Sequence, residues 1–178
     1  MTFNLLVTSC FHQGTTFKDA DNSPRIAISP DPSREQIIFF RIDEDGHIQT
    51  PFRNEFNMNH DGERICDLLV YYKDLLTGKH FLVLTELKGT DFDGAADQII
   101  NTYKKMALYN CLRNKKYCEN IIVRACGVSK RLNKNANTDA KKAKGKILKS
   151  IHIDKKDCDF VDPRDFLRFL RGEKVSTI

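Results

Sequence analysis

Three charged side chains stand within or at the ends of strongly apolar runs of this 178-residue sequence. Asp67 lies near the start of one run, and Glu86 and Lys88 end another that begins at Phe81. Because a β-strand repeats its side-chain direction every second residue, we expect Glu86 and Lys88 on one face of a sheet. Two carboxylates and an ammonium at a strand end can hold a divalent metal ion, a phosphate and a water molecule. That arrangement suits the hydrolysis of a phosphodiester bond.

The pattern around these residues predicts a β-hairpin. Residues 65–73 and 81–88 are rich in β-branched, aromatic and other apolar side chains and are predicted strands, with a turn at 74–78. A turn centred in that segment sets Asp67 across from Glu86 to within about two residues. The spacing alone therefore predicts that the acidic pair comes together.

The rest of the chain predicts the elements that would surround this hairpin. They are a strand at 37–42, a helix from about 93 to 113, a strand at 119–128, a short strand at 147–153 and a C-terminal helix at about 162–171. The strand–helix–strand order implies a crossover and a mixed or parallel arrangement in that part. We expect one α/β domain over residues 1–178, in which the segment 1–32 has no clear pattern.

Asp67 and the triplet Glu86–Lys88 resemble, in order and local setting, the signature of the PD-(D/E)xK nuclease superfamily. The resemblance covers roughly residues 37–128. It implies the restriction-endonuclease-like fold, an α/β core with a mixed central sheet flanked by helices in the order αβββαβ. The proline of the family's name is missing, since Cys66 precedes the aspartate. A glutamate often found on the first core helix has Glu35 as its candidate.

The resemblance also implies roles for individual residues. Asp67, Glu86 and the backbone carbonyl of Leu87 would bind Mg²⁺ or Mn²⁺, hard cations that prefer oxygen ligands. Lys88 would orient the attacking water, and its ammonium should stay protonated beside two carboxylates. Gln98 completes the expected catalytic set, because several branches of the family carry a glutamine there; it could also be a plain surface residue. We expect Glu86 and Lys88 to lie outside the packed core.

The segment 129–150 is strongly basic and could grip the phosphates of a nucleic acid. The candidate contacts are Lys130, Arg131, Lys134, Lys141, Lys142, Lys144 and Lys146. Residues that would extend the positive surface are Lys104, Lys105, Arg113, Lys115 and Lys116. The alternative is a solvated, partly disordered loop, and Thr138 could cap a short helix within the segment. The net charge of +5 permits a polyanionic partner without proving one.

Plainer interpretations of the acidic residues stay open. Glu86 and Lys88 could form an exposed ion pair worth under about 1 kcal/mol, with Asp67 pairing with a lysine or capping a loop. Desolvating three charges for so small a gain is unfavourable, which favours the functional interpretation. Asp91 and Asp93 could add a metal ligand, but they also suit the free amides at the start of the following helix.

Cysteine usage and hydropathy indicate where such a protein would work. The six cysteines have no C-x-x-C spacing and are expected to be free, mostly buried thiols, which fits a reducing cytoplasm. No apolar stretch reaches the length needed to cross a bilayer, so we expect a soluble protein without a membrane partner.

The sequence favours a metal-dependent nuclease, expected to act on DNA as an endonuclease. Two alternatives remain: RNA cleavage by the same residues, and a catalytically inactive module that binds nucleic acid or a protein. A homodimer, and a partner subunit in a microbial defence or repair system, are expected by analogy of fold alone.

Overall fold

The computed structural model describes residues 10–18, 23–43, 50–58, 62–108, 121–130 and 134–175. Within these ranges the fold is α/β, with a six-stranded mixed sheet, a separate two-stranded sheet and four helices. The strands are β1 Phe11–His12, β2 Thr16–Lys18, β3 Arg25–Ala27, β4 Glu35–Arg41, β5 Leu68–Asp74, β6 His80–Leu87, β7 Ile121–Val128 and β8 Cys158–Val161. The helices are α1 Pro51–Glu55, α2 Phe92–Leu108, α3 Lys134–Ile151 and α4 Phe166–Leu170.

Strands β4, β5 and β6 form an antiparallel meander at the centre of the sheet. At the closed end of the β5–β6 hairpin, Lys73 lies opposite His80, and at the open end Leu68 lies opposite Thr85. The predicted hairpin and its register are therefore confirmed. Asp67 and Glu86 are the next pair beyond the last backbone pair.

Helix α2 connects β6 to β7, which pairs with β6 in parallel, and β8 adds a further parallel strand. The sheet order is β1-β4-β5-β6-β7-β8. The predicted crossover and mixed sheet are confirmed. The predicted helix over 93–113 matches α2 as far as Leu108, and its last residues, including Arg113, lie outside the described ranges.

The sheet separates two hydrophobic clusters, because its side chains alternate between the two faces. On β6, Leu82 and Leu84 join the cluster that contains the apolar faces of α2 and α3. Phe81 and Val83 join the cluster that contains α4 and the β2–β3 hairpin. By the same alternation, Glu86 lies on the face that α2 covers.

One buried cation fixes α4 against the sheet. The Arg124 side chain of β7 donates from Nε to Asp157 Oδ1 at 2.7 Å and from Nη1 to the carbonyls of Phe169 and Leu170 at 3.2 and 2.8 Å. Its guanidinium carbon lies 3.8 Å from the centre of the Phe81 ring. These contacts replace the water that a guanidinium loses when it is buried.

The basic segment forms a helix rather than a loop. The strand predicted over 147–153 is wrong, because α3 continues to Ile151. Ala140, Ala143, Ile147 and Ile151 are buried and recur at helical spacing, so they form a narrow apolar stripe against α2 and β8. The predicted C-terminal helix is confirmed, beginning with a 3₁₀ turn at Pro163–Asp165 and continuing as α4.

Glu35 does not occupy the position expected from the resemblance. It lies on β4 opposite Asp74, at the far end of the hairpin from Asp67. Its carboxylate accepts bonds from Arg171 Nη2 at 2.7 Å and from the Tyr72 hydroxyl at 3.1 Å. Burial would raise the pKa of Glu35, but the Arg171 hydrogen bonds and charge outweigh burial and lower it. This carboxylate anchors the C-terminal segment to the sheet.

The four described cysteines are free and buried thiols, as predicted. Cys10, Cys66, Cys126 and Cys158 are free and buried, whereas Cys111 and Cys118 lie outside the described ranges. Among the helices that the structure describes, none combines the length and hydrophobicity required to cross a membrane.

Candidate active site

The acidic pair is held by reciprocal bonds between side chains and backbone at the open end of the β5–β6 hairpin. The Asp67 N–H donates to Glu86 Oε2 at 3.2 Å, and the Leu87 N–H donates to Asp67 Oδ2 at 2.7 Å. Each carboxylate thus accepts a hydrogen bond from a backbone N–H of the opposite strand end. These bonds continue the hairpin beyond its last backbone pair and fix the two carboxyl groups side by side.

Asp67 and Glu86 are more buried than the sequence analysis predicted. Glu86 is fully buried and Asp67 is 6% exposed, so the expectation that Glu86 lies outside the core is wrong. Lys88 follows the end of β6 with its side chain 30% exposed, and its Nζ lies 2.9 Å from Glu86 Oε1. This contact is an ion pair, and Oε1 has no further hydrogen-bond partner among the described residues. The site is buried on the protein side and reaches solvent at the lysine.

The electrostatics of the three groups follow from this burial. Burial, and then the neighbouring Asp67 carboxylate, raise the pKa of Glu86 well above its ordinary value, while Lys88 acts in the opposite direction. Partial burial would lower the pKa of Lys88, but the charges of Glu86 and Asp67 outweigh burial and raise it. The lysine is therefore an ammonium at neutral pH. Two carboxylates share this one ammonium, so ionising both is unfavourable without a further cation.

Helix α2 holds the segment before Asp67 through a row of polar side chains. Gln98 Nε2 donates to the Ile65 carbonyl at 2.9 Å, and Asn101 Nδ2 donates to the Arg64 carbonyl at 2.7 Å. The Cys66 N–H donates to Thr102 Oγ1 at 2.9 Å. These bonds replace strand pairing, which is why β5 begins at Leu68 and not at Ile65 as predicted.

Gln98 is a buried residue of this row rather than a surface residue. It is 6% exposed, and its Oε1 has no hydrogen-bond partner within the part of the chain that the structure describes. The sequence analysis missed Asn101 and Thr102. Their signal was a set of polar side chains spaced three and four residues apart on a helix whose same side is otherwise apolar.

The basic candidates are only partly available to a ligand. Lys144 pairs with Asp159 at 3.1 Å, and Lys146 contacts Asp93 at 2.8 Å and Asp97 at 2.9 Å. The exposed candidates include Lys130, Lys141 and Lys142, the last with an exposed contact to Asp139 at 3.6 Å. Arg131, Lys115, Lys116 and the Lys134 side chain lie outside what is described.

Asp91 and Asp93, which follow β6, interact with the start of α2 and with a lysine of α3. Asp91 Oδ1 accepts from the Gly94 N–H at 2.9 Å and so satisfies a free amide at the start of α2. Asp93 is engaged by Lys146. This agrees with the capping interpretation for Asp91 and leaves neither acid beside the Asp67–Glu86 pair as a further ligand in this structure.

The donors present fit a hard divalent cation. Within the described ranges there is no group of three or more His, Cys, Asp or Glu side chains placed to hold a metal. Asp67 and Glu86 nevertheless supply carboxylate oxygens, and Glu86 Oε1 is a buried acceptor without a hydrogen bond. In a strand, the N–H and C=O of one residue point to the same side, so the Leu87 carbonyl points toward Asp67 as its N–H does. Oxygen donors of this kind suit Mg²⁺ or Mn²⁺.

In comparisons with protein-family models, with curated proteins and with solved structures, nothing matches this chain.

Proposed function

We propose that this chain is a metal-dependent nuclease of restriction-endonuclease-like fold that hydrolyses phosphodiester bonds in DNA. The order of elements supports the proposal. An antiparallel meander of β4, β5 and β6, then α2, then β7 parallel to β6, is the order that the resemblance implies for the core after its first helix. Asp67 immediately precedes β5, and the triplet begins with the last two residues of β6 and ends at Lys88, just after it.

One observation supports this function above all others: two buried carboxylates face a single lysine, with Glu86 accepting from the Asp67 N–H and Asp67 accepting from the Leu87 N–H. As a purely structural ion pair, this cluster would contain one acid too many. A divalent cation would offset the excess negative charge and occupy the acceptor at Glu86 Oε1. When bound there, it would polarise the scissile phosphate, lower the pKa of a bound water and stabilise the leaving oxygen.

The protein's own residues would then divide the work. Asp67, Glu86 and the Leu87 carbonyl would hold the cation. Lys88, which stays protonated and reaches solvent, would bind a phosphate oxygen and orient the attacking water. Gln98 would hold the segment before Asp67 and keep its own free carbonyl oxygen beside the site.

The test is cleavage of plasmid and single-stranded DNA with Mg²⁺ or Mn²⁺. Because Asp67 and Glu86 are buried, the informative variants are Asp67→Asn and Glu86→Gln, which keep the shape and remove the charge. We expect both to abolish cleavage, and Lys88→Ala to abolish it with the metal still bound. Glu55→Gln, on an exposed position of α1, and Lys79→Ala, at the closed end of the hairpin, are matched controls that should cleave normally.

Calorimetry with Mn²⁺ separates the outcomes. A saturating cation at about 100 times its Kd stabilises the folded protein by about 2.7 kcal/mol, which Glu86→Gln should lose. Folded wild type that neither binds metal nor cuts DNA would contradict the proposal and favour an inactive binding module. Metal binding without cleavage of DNA, but with cleavage of RNA, would correct the substrate.

A further inference from the structure

A surface pocket of about 370 Å³ lies beside the candidate active site, between the loop before β5 and one face of α2. The side chains of α2 that line it are spaced three and four residues apart and so share one face of the helix. They are Asp97, Ile100, Asn101 and Lys104, and the loop contributes Glu63 and Arg64. The pocket floor is fixed, because Asn101 Nδ2 donates to the Arg64 carbonyl at 2.7 Å.

The acidic residues that line this pocket form ion pairs, whereas its basic residues are free to contact a ligand. Each acid pairs with a lysine outside the lining: Glu63 with Lys105 at 2.5 Å, and Asp97 with Lys146 at 2.9 Å, an ammonium that it shares with Asp93. Arg64 and Lys104 are exposed, and neither forms an ion pair with any residue that the structure describes. The pocket therefore presents two free cations and an amide, which is the chemistry that binds phosphate oxygens.

The pocket also lies at a suitable distance from the carboxylate pair. Arg64 precedes Asp67 by three residues, which span at most about 11 Å of extended chain. A strand whose scissile phosphate reached Asp67 and Lys88 would place a neighbouring phosphate at the pocket.

We infer that the Arg64–Lys104 pocket binds the backbone phosphate of a nucleotide that flanks the cleaved bond. The inference rests on the proposed function and deepens it, because it assigns strand positioning to α2 and the loop before β5. It also adds a phosphate contact outside α3, on which Lys144 and Lys146 are already held by carboxylates.

The test is the salt dependence of binding to a fluorescein-labelled 20-nucleotide single strand, followed by anisotropy in EDTA at several KCl concentrations. Each phosphate contact contributes about 0.7 to the slope of log K against log salt for single strands. We expect Arg64→Ala/Lys104→Ala to reduce the slope by about 1.4. Lys79→Ala, the removal of an equally exposed cation at the other end of the hairpin, should leave it unchanged. A thermal unfolding midpoint near that of wild type would show that the fold is intact.

Two results would overturn the inference. One is a wild-type slope in the double variant, and the other is an equal fall in slope for the double variant and Lys79→Ala. If the wild type still cuts DNA with Mn²⁺ in either case, the pocket assignment fails while the nuclease proposal stands. A wild type that neither binds nor cuts DNA or RNA would contradict both.

Discussion

Thr102 offers a sharp test of how α2 positions the candidate site. Its hydroxyl donates to the Gln98 carbonyl at 2.8 Å and accepts the Cys66 N–H at 2.9 Å, and both Thr102 and Cys66 are fully buried. Thr102→Val keeps the shape of the side chain but leaves the Cys66 N–H without an acceptor. A buried donor that loses its partner costs about 1–3 kcal/mol.

This magnitude is measurable in a chain of this size. For 150–250 residues, 1 kcal/mol corresponds to about 2–4 °C in Tm, so Thr102→Val should unfold about 2–12 °C below wild type. Asp67 directly follows Cys66, so losing the Cys66–Thr102 hydrogen bond also loosens the backbone that positions the Asp67 carboxylate. We therefore expect a fall of about 10-fold to 100-fold in Mn²⁺ affinity or cleavage, as when partners that orient metal ligands are removed.

Thr102→Ser is the matched control, because it removes one methyl group and keeps the hydroxyl. It should lower stability by about 1 kcal/mol and leave Mn²⁺ affinity near wild type. Urea unfolding gives the free energies, and amide hydrogen exchange at Cys66 reports the hydrogen bond itself. The reasoning would be refuted if Cys66 exchanged as slowly in Thr102→Val as in wild type, with unfolding free energies within about 0.5 kcal/mol.

Further predictions concern the elements around the site. Arg124→Met leaves the buried Asp157 without its cation and should lower the free energy of unfolding by about 3–5 kcal/mol; a urea midpoint near wild type would contradict the buried-clamp interpretation. The pKa of Glu35 is lowered in the folded state, so its contribution to stability is present above the unfolded value of about 4.3 and is lost as pH falls through the folded value. Arg171→Met should reduce the fall in Tm between pH 6 and pH 2. An unchanged fall in Tm would exclude the Glu35–Arg171 pair as its source. Gly127→Ala places a methyl carbon 2.2 Å from the aromatic ring that β8 packs on it, and overpacking of this kind should lower stability by about 1–3 kcal/mol in the same urea assay.

The sequence predicted the hairpin because its signals are local. Apolar runs of strand length flank a short turn, and turn position sets register, so the adjacency of Asp67 and Glu86 needed no knowledge of the rest of the chain. The depth of Glu86 could not be predicted in this way. Its burial depends on the packing of α2 over the end of β6, and the strand and turn patterns do not report that packing.

The full extent of α3, from Lys134 to Ile151, was missed for a related reason, since the sequence indicated only a short helix near Thr138. Its apolar stripe is made largely of Ala140, Ala143 and Ile147 among many lysines, so its hydrophobic signal is weak. The lysines are compatible with a helix because Lys144 and Lys146 meet carboxylates of β8 and α2, which only the tertiary fold brings near. Local composition therefore left a solvated loop or a short helix open where packing produced a helix of 18 residues.

The reciprocal bonds of the acidic pair have a consequence for folding order. Asp67 and Glu86 are only 19 residues apart in the chain, so the loop that joins them closes with a modest entropy loss. Hairpins form in about 1–10 μs, and contacts of short sequence separation form early. We expect the two like charges to meet in a nascent hairpin before α2 covers them. Lys88 follows β6 directly, so the counter-ion for the nascent hairpin is supplied by the adjacent residue of the chain.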